Sequence, residues 1–197
     1  WQLGETLVSG IGQGSVLTTP LQLAVMTARL VNGGNAVVPR LTRELAARDG
    51  GFVNRPPTAE SLGINRAALE QVLKGMEAVT NSQRGTAYKA RITIPGMEMG
   101  GKSGTSQVKR ITMADREAGL HKLENRPWRD RDHALFIGYA PLSAPRYAAA
   151  VVIEHGGGGS SVAAPILRDV MIETLKRDPS RREAPSAPPR IAQSDKS

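Results

Sequence analysis

Apolar residues recur at helical spacing in three stretches of the chain and fill short continuous runs in two others. Leu21, Ala24, Val25 and Ala28 fall on one face of a first helix. Its start is marked in the sequence. Thr19 can cap it, Pro20 suits the first helical position, and Gln22 completes a capping box. Asn32-Gly33-Gly34 ends it, because glycine tolerates the left-handed backbone that closes helices. A second helix is expected from near Asn65, with Leu69, Val72, Leu73, Met76 and Val79 at helical spacing. It fades into the polar loop 81–86. A last helix carries Val162, Ile166, Leu167, Val170, Met171 and Leu175 on one side.

The strand signals differ in kind. Residues 36–45 read as extended, broken by Pro39, and Asp49-Gly50-Gly51 reads as a turn. After a loop over 95–101, Lys102 to Val108 reads as a short strand. Ala134 to Ala140 is apolar on both faces, which predicts a central strand. Tyr147 to Ile153 is its expected neighbour, joined by a short antiparallel connection over 141–145. Between Lys109 and Asp132 lies a long charged stretch, of the length that is usually functional or mobile, with Trp128 as its expected packing residue. Gly156 to Gly159 reads as a flexible hinge. Helices set against an antiparallel sheet make an α+β layer fold over residues 1–177. Residues 178–197, rich in Pro, Arg and Ser with almost nothing to bury, are expected to be a disordered tail.

Composition narrows this picture. The 197 residues suffice for one domain with a real core, and 40% are hydrophobic. Aromatics are only 4%, so packing must rest on aliphatic residues and Met. There is no cysteine, hence no disulfide or zinc–cysteine scaffold. There is no run of about 18 apolar residues. The chain opens on Trp1, which suggests a piece of something longer with its targeting segment upstream. The net charge of +8 is spread along the chain and interleaved with acids. Neither a recognition helix nor an aromatic stacking platform accompanies it, so a nucleic-acid partner is not expected.

Lys102-Ser103-Gly104-Thr105 carries the chemistry. On a strand, Lys102 and Gly104 point one way, Ser103 and Thr105 the other. Glycine lets a ligand lie against the backbone, and a strand edge offers N–H and C=O groups to an extended peptide. Such a strand could hold a peptide carboxylate with two hydroxyls and a nearby cation. Taken alone, the tetrad is also compatible with an ordinary polar surface strand.

The order of motifs favours chemistry. The tetrad is similar to the K-T-G motif of penicillin-binding proteins and serine β-lactamases. Gly12-Gln13-Gly14 and Thr19-Pro20-Leu21-Gln22-Leu23-Ala24 resemble segments ahead of that motif in the elongation-type penicillin-binding protein 2 family. Gly85-Thr86-Ala87, Asp132-His133-Ala134 through Tyr139-Ala140-Pro141, and Ile153-Glu154-His155-Gly156-Gly157 also resemble that family, in the same order. The resemblance covers residues 1–177 and is to the C-terminal part of the transpeptidase domain.

The resemblance implies a peptidoglycan D,D-transpeptidase. A serine attacks the D-Ala-D-Ala bond of one stem peptide, and the amine of a second stem peptide resolves the acyl-enzyme. β-Lactams mimic the donor and acylate the same serine. Carried over, Lys102 supplies positive potential and hydrogen bonding to a serine of the second motif. Ser103 and Thr105 bind the donor carboxylate, Gly104 gives the backbone access, and the Thr105 N–H is half of the oxyanion hole. The family's S-x-x-K motif, with its nucleophilic serine, is expected to be absent from this chain and to lie upstream, so this chain alone is expected to be inactive. No cofactor or metal is implied. The implied partners are stem peptides, β-lactams, the upstream half of its own domain, a lipid-linked glycan polymerase and other elongation proteins. The implied location is the periplasmic face of the bacterial inner membrane.

Other readings are weaker. A penicillin-sensing or non-enzymatic interaction domain of the same fold would share these motifs. A β-lactamase fits 18–34 and 132–141 less well. Gly10 to Gly14 lacks the pattern of a phosphate loop. His133, near Asp130 and Asp132, lacks zinc-protease spacing, and a solvated turn is the simpler account. His155 suits either a cleft or a structural role.

Overall fold

The computed structural model describes residues 2–14, 16–40, 45–46, 52–53, 60–120 and 122–179. Helix α1, Leu3–Gly10, comes first and was not expected. It is short and holds two glycines, so it has little periodic signal. The Glu5 carboxylate accepts the Gln2 N–H at 2.6 Å and closes its first turn. Helix α2, Pro20–Val31, begins as its sequence dictates. The Thr19 hydroxyl accepts the Gln22 N–H at 3.2 Å, and the Gln22 side chain accepts the Thr19 N–H at 2.8 Å. Gly33 and Gly34 follow with φ of 72° and 78°, the left-handed stop predicted for them.

A two-residue hairpin, β1 Leu45–Ala46 with β2 Phe52–Val53, comes next. The turn expected at 49–51 lies outside the described residues. Helix α3, Arg66–Asn81, is capped by the Asn65 side chain, which accepts the Ala68 N–H at 3.1 Å. Strand β3, Gly100–Ser106, starts two residues earlier than expected and ends two earlier. The connection 107–132 contains helix α4, Met113–Glu117, and 3-10 turns at Leu123–Asn125 and Trp128–Asp130. Strands β4, His133–Ala140, and β5, Tyr147–Ile153, follow, then a π-helical turn Gly159–Ala163 that runs into helix α5, Ala164–Lys176.

The larger sheet has the order β3-β4-β5 and is antiparallel throughout. Its two faces are unlike. Ala134, Phe136 and Ala140 point toward α5 and meet Leu167, Met171 and Leu175, all essentially without exposure. By alternation Leu135, Ile137 and Tyr139 point the other way, toward α2 and α3. There the buried Thr80 hydroxyl donates to the Met99 carbonyl at 2.6 Å, and the Asn81 amide to the same oxygen at 2.9 Å. These two bonds fix α3 to the entry of β3. Burial beneath α3, together with the nearby Glu77, raises the Tyr139 pKa above its usual value.

Asp178 lies beyond the boundary expected at 177 and is nonetheless buried, with Arg146 Nε 3.0 Å from its carboxylate. The packed part therefore reaches at least that residue, because a buried carboxylate needs its cation. Residues 180–197, most of the expected tail, lie outside the described residues. No described helix is long and apolar enough to cross a membrane.

Candidate active-site strand

Among the described residues strand β3 is an edge strand, with β4 on one side and no strand on the other. The tetrad occupies its second half. Lys102 stands opposite Ile137, Ser103 opposite Phe136, Gly104 opposite Leu135 and Thr105 opposite Ala134. Directly opposed residues share a face, so Ser103 and Thr105 lie on the α5 side and Lys102 on the α2 and α3 side. Lys102 is exposed and folds back, its Nζ donating to the Ser103 carbonyl at 2.6 Å. The Ser103 hydroxyl lies 3.3 Å from that of Thr86 in the turn ahead of the strand.

Gln13 was not expected here. Its side-chain amide donates to the Thr105 carbonyl at 3.3 Å, from a loop 92 residues away in sequence. In an antiparallel strand a residue's N–H and C=O point the same way. The Thr105 N–H therefore shares the open edge with the carbonyl that Gln13 reaches. Gly12-Gln13-Gly14 was noted only as part of a resemblance; spacing alone cannot reveal a contact across the fold.

The chain does spell S-x-x-K once, at Ser106-Gln107-Val108-Lys109, contrary to the expectation that it holds none. The local structure does not set this serine and this lysine side by side. The spacing brings a serine and a lysine together only on a helix. Ser106 ends a strand, 107–110 are not helical, and Lys109 turns instead to Asp115 and Asp130, at 3.7 and 3.9 Å.

The charged connection after β3 is folded. Arg126 donates to the Asp132 carboxylate at 3.0 Å and to the Leu120 carbonyl at 2.8 Å. The other Asp132 oxygen accepts the Val108 N–H at 3.4 Å, which ties the exit of β3 to the start of β4. Thr112 caps α4, and its backbone N–H, the main cause, holds the Asp115 carboxyl below the usual carboxylate range. Trp128 is 63% exposed, so it packs less than expected, yet its ring lies 4.5 Å from that of His155. His133 and His155 touch each other, with ring centroids 4.8 Å apart. Among the described residues no three His, Cys, Asp or Glu side chains converge on a common point.

The glycines read as a hinge are packed instead. Gly157 and Gly159 are buried. A Cβ on Gly159 would lie 2.3 Å from both the Gly104 and Leu135 carbonyl oxygens, so only glycine lets the π-helical turn rest on the tetrad's own backbone.

Comparison with known proteins agrees with this architecture. The penicillin-binding protein transpeptidase domain family matches residues 1–172. The peptidoglycan D,D-transpeptidase MrdA of Acinetobacter baumannii is 36% identical over 185 residues, which is 92% of this chain and 26% of that protein. The structure of Pseudomonas aeruginosa PBP2 in complex with WCK 5153 superposes with a TM-score of 0.68 at 36% identity, over 90% of this chain and 35% of the other. Helicobacter pylori PBP2 in complex with MreC gives a TM-score of 0.68 at 27% identity, over 89% of this chain and 28% of the other. The chain thus spans about a quarter of the curated relative's length. Helices on a three-stranded antiparallel sheet are what the C-terminal part of that fold contains. By its match and its architecture the chain belongs to the penicillin-binding protein transpeptidase family and is similar to its penicillin-binding protein 2 members.

Proposed function

We propose that the protein carrying this chain is a peptidoglycan D,D-transpeptidase that works through an acyl-serine, and that this chain contributes the Lys102-Ser103-Gly104-Thr105 strand while the serine lies upstream. One observation carries the reading. The Thr105 carbonyl is met from outside the sheet by Gln13, so the N–H beside it is turned toward the space an extended substrate would occupy. That N–H serves as one oxyanion donor, and the serine's own N–H is the other. The Ser103 and Thr105 hydroxyls, two residues apart on one face, hold the donor peptide's carboxylate, and Gly104 between them keeps the backbone open. Lys102 unfolds from the Ser103 carbonyl to supply positive potential toward the second motif's serine. No cofactor or metal is needed for acyl transfer of this kind.

The same reading assigns the setting. Stem peptides are the substrates and β-lactams the inhibitors. The rest of the transpeptidase domain completes the site, and the protein works on the periplasmic face of the inner membrane. The Helicobacter pylori relative was solved as a complex with MreC, which supports elongation proteins as partners; a lipid-linked glycan polymerase would supply the strands to be cross-linked.

The test is labelling of the full-length protein with fluorescent penicillin, wild type beside Lys102→Ala. Labelling of the variant should slow by about 100-fold, the scale of losing one preorganised electrostatic group, with an unchanged melting temperature. Labelling at the wild-type rate overturns the role of Lys102. A folded wild-type protein that takes no label overturns the function. The isolated chain should show no penicillin adduct by mass spectrometry; an adduct on it would mean that the nucleophile lies within these residues.

A further inference from the structure

The two histidines and Trp128 sit at the far end of the sheet from the strand entry, where Ser106 stands opposite His133. Their hydrogen bonds set the role of one nitrogen on each ring. The His155 backbone N–H donates to His133 Nδ1 at 2.9 Å, so that nitrogen carries no proton. His155 Nδ1 lies 3.0 Å from the Arg131 carbonyl, which only accepts, so this nitrogen carries one. His155 has φ of 54°, the one non-glycine residue with positive φ among the described residues. A left-handed histidine is strained and persists only where its surroundings over-determine it. Here the His133 ring holds its N–H, Arg131 holds its ring, and Trp128 covers it.

The strained residue leads directly to the tetrad. Two residues on, the Gly157 N–H donates to the Asp132 carbonyl at 2.8 Å. A Cβ on Gly157 would meet Leu123 of the folded connection at 2.5 Å. Two residues later Gly159 lies on the backbone of Gly104 and Leu135. Interiors this close transmit displacement, since no slack is left between Gly159 and the tetrad.

We infer that His133 and His155 are positioning residues for the active-site strand. By accepting the His155 N–H, His133 sets the left-handed turn that seats the Gly156–Gly159 run on Gly104, and so sets where the Thr105 N–H and the two hydroxyls of the tetrad stand. Neither histidine touches substrate. The inference rests on the proposed transpeptidase reading for its kinetic consequence, and on geometry alone for the coupling itself.

Two measurements on the full-length protein test it, with variants of similar shape of which one presents an acceptor and the other none. His133→Asn keeps an acceptor, because Asn Oδ1 stands where Nδ1 stood. His133→Leu fills similar space with none. Penicillin acylation should slow about 10-fold in His133→Leu through its acylation step, a misplacement effect, and return to within about 3-fold of wild type in His133→Asn. Amide hydrogen exchange over 100–106 should quicken in His133→Leu and not in His133→Asn. A purely structural role would move the melting temperature of both variants without this split. Exchange over 100–106 that is identical in all three proteins overturns the coupling, whatever the kinetics. Asn and Leu variants equally slow overturn the hydrogen-bond account. If the wild-type protein takes no penicillin, the transpeptidase reading fails and the exchange data still decide the coupling.

Discussion

One side of the central sheet is finished and the other is not. On the α5 side, Phe136, Leu167, Met171 and Leu175 have at most 1% exposure, and the helix closes over them. On the α2 and α3 side, Leu135 and Ile137 are only half-buried, and apolar residues of the covering helices stay in solvent: Leu21 is 61% exposed and Val72 47%. Helix α1 buries nothing, and its Leu7 is 69% exposed. Scattered exposed leucines are ordinary. A sheet side that leaves this many neighbouring apolar residues in solvent has the character of an interaction face. Lys102 points to that side, and under the proposed function the rest of the transpeptidase domain covers it and brings the serine.

Mutations on the two sides should therefore behave differently. The largest effect is expected from Phe136→Ala, which empties the closed core and should cost about 4 kcal/mol in urea unfolding. A cost below about 1 kcal/mol would mean that the α5 side is not the core. Next comes Arg146→Ala. It takes a cation from the buried Asp178 carboxylate and should cost about 2 kcal/mol, since a buried charged acceptor loses a partner. A neutral result would place Asp178 in water and restore the domain boundary at 177. Smallest is Leu21→Ser on the open side. In this chain alone it should change stability by less than about 0.5 kcal/mol. In the full-length protein the same change should cost about 2 kcal/mol, the value of burying a leucine. Equal effects in both proteins would remove the idea of a covered face.

Much of the architecture was legible along the chain. Thr19, Pro20 and Gln22 announce α2 because capping is local chemistry within four residues. The doubly apolar run at 134–140 announces a central strand because both its faces must be buried. The tetrad was legible as a strand with a cation, two hydroxyls and a glycine. The same locality explains what was misread. Gly156–Gly159 looks like a hinge when nothing is known of its neighbours, and instead packs, with Gly159 placed where a Cβ would run into the Gly104 and Leu135 carbonyls. The charged stretch 109–132 reads as mobile because its ion pairs, Arg126 with Asp132 and Lys109 with Asp115 and Asp130, join residues whose meeting depends on the turns between them.

The sequence by itself determined the helices with clear caps, the three main strands, the α+β class and the tetrad, because each depends on neighbours a few residues apart. Only the tertiary structure decided that Gln13 reaches the Thr105 carbonyl, that Lys109 turns to Asp115 and Asp130, and that His133 accepts the N–H of a left-handed His155 beside the tetrad. Those are distances between residues far apart in the chain or turned by a local bend, and spacing along a sequence carries no such distances until the backbone has been closed into a fold.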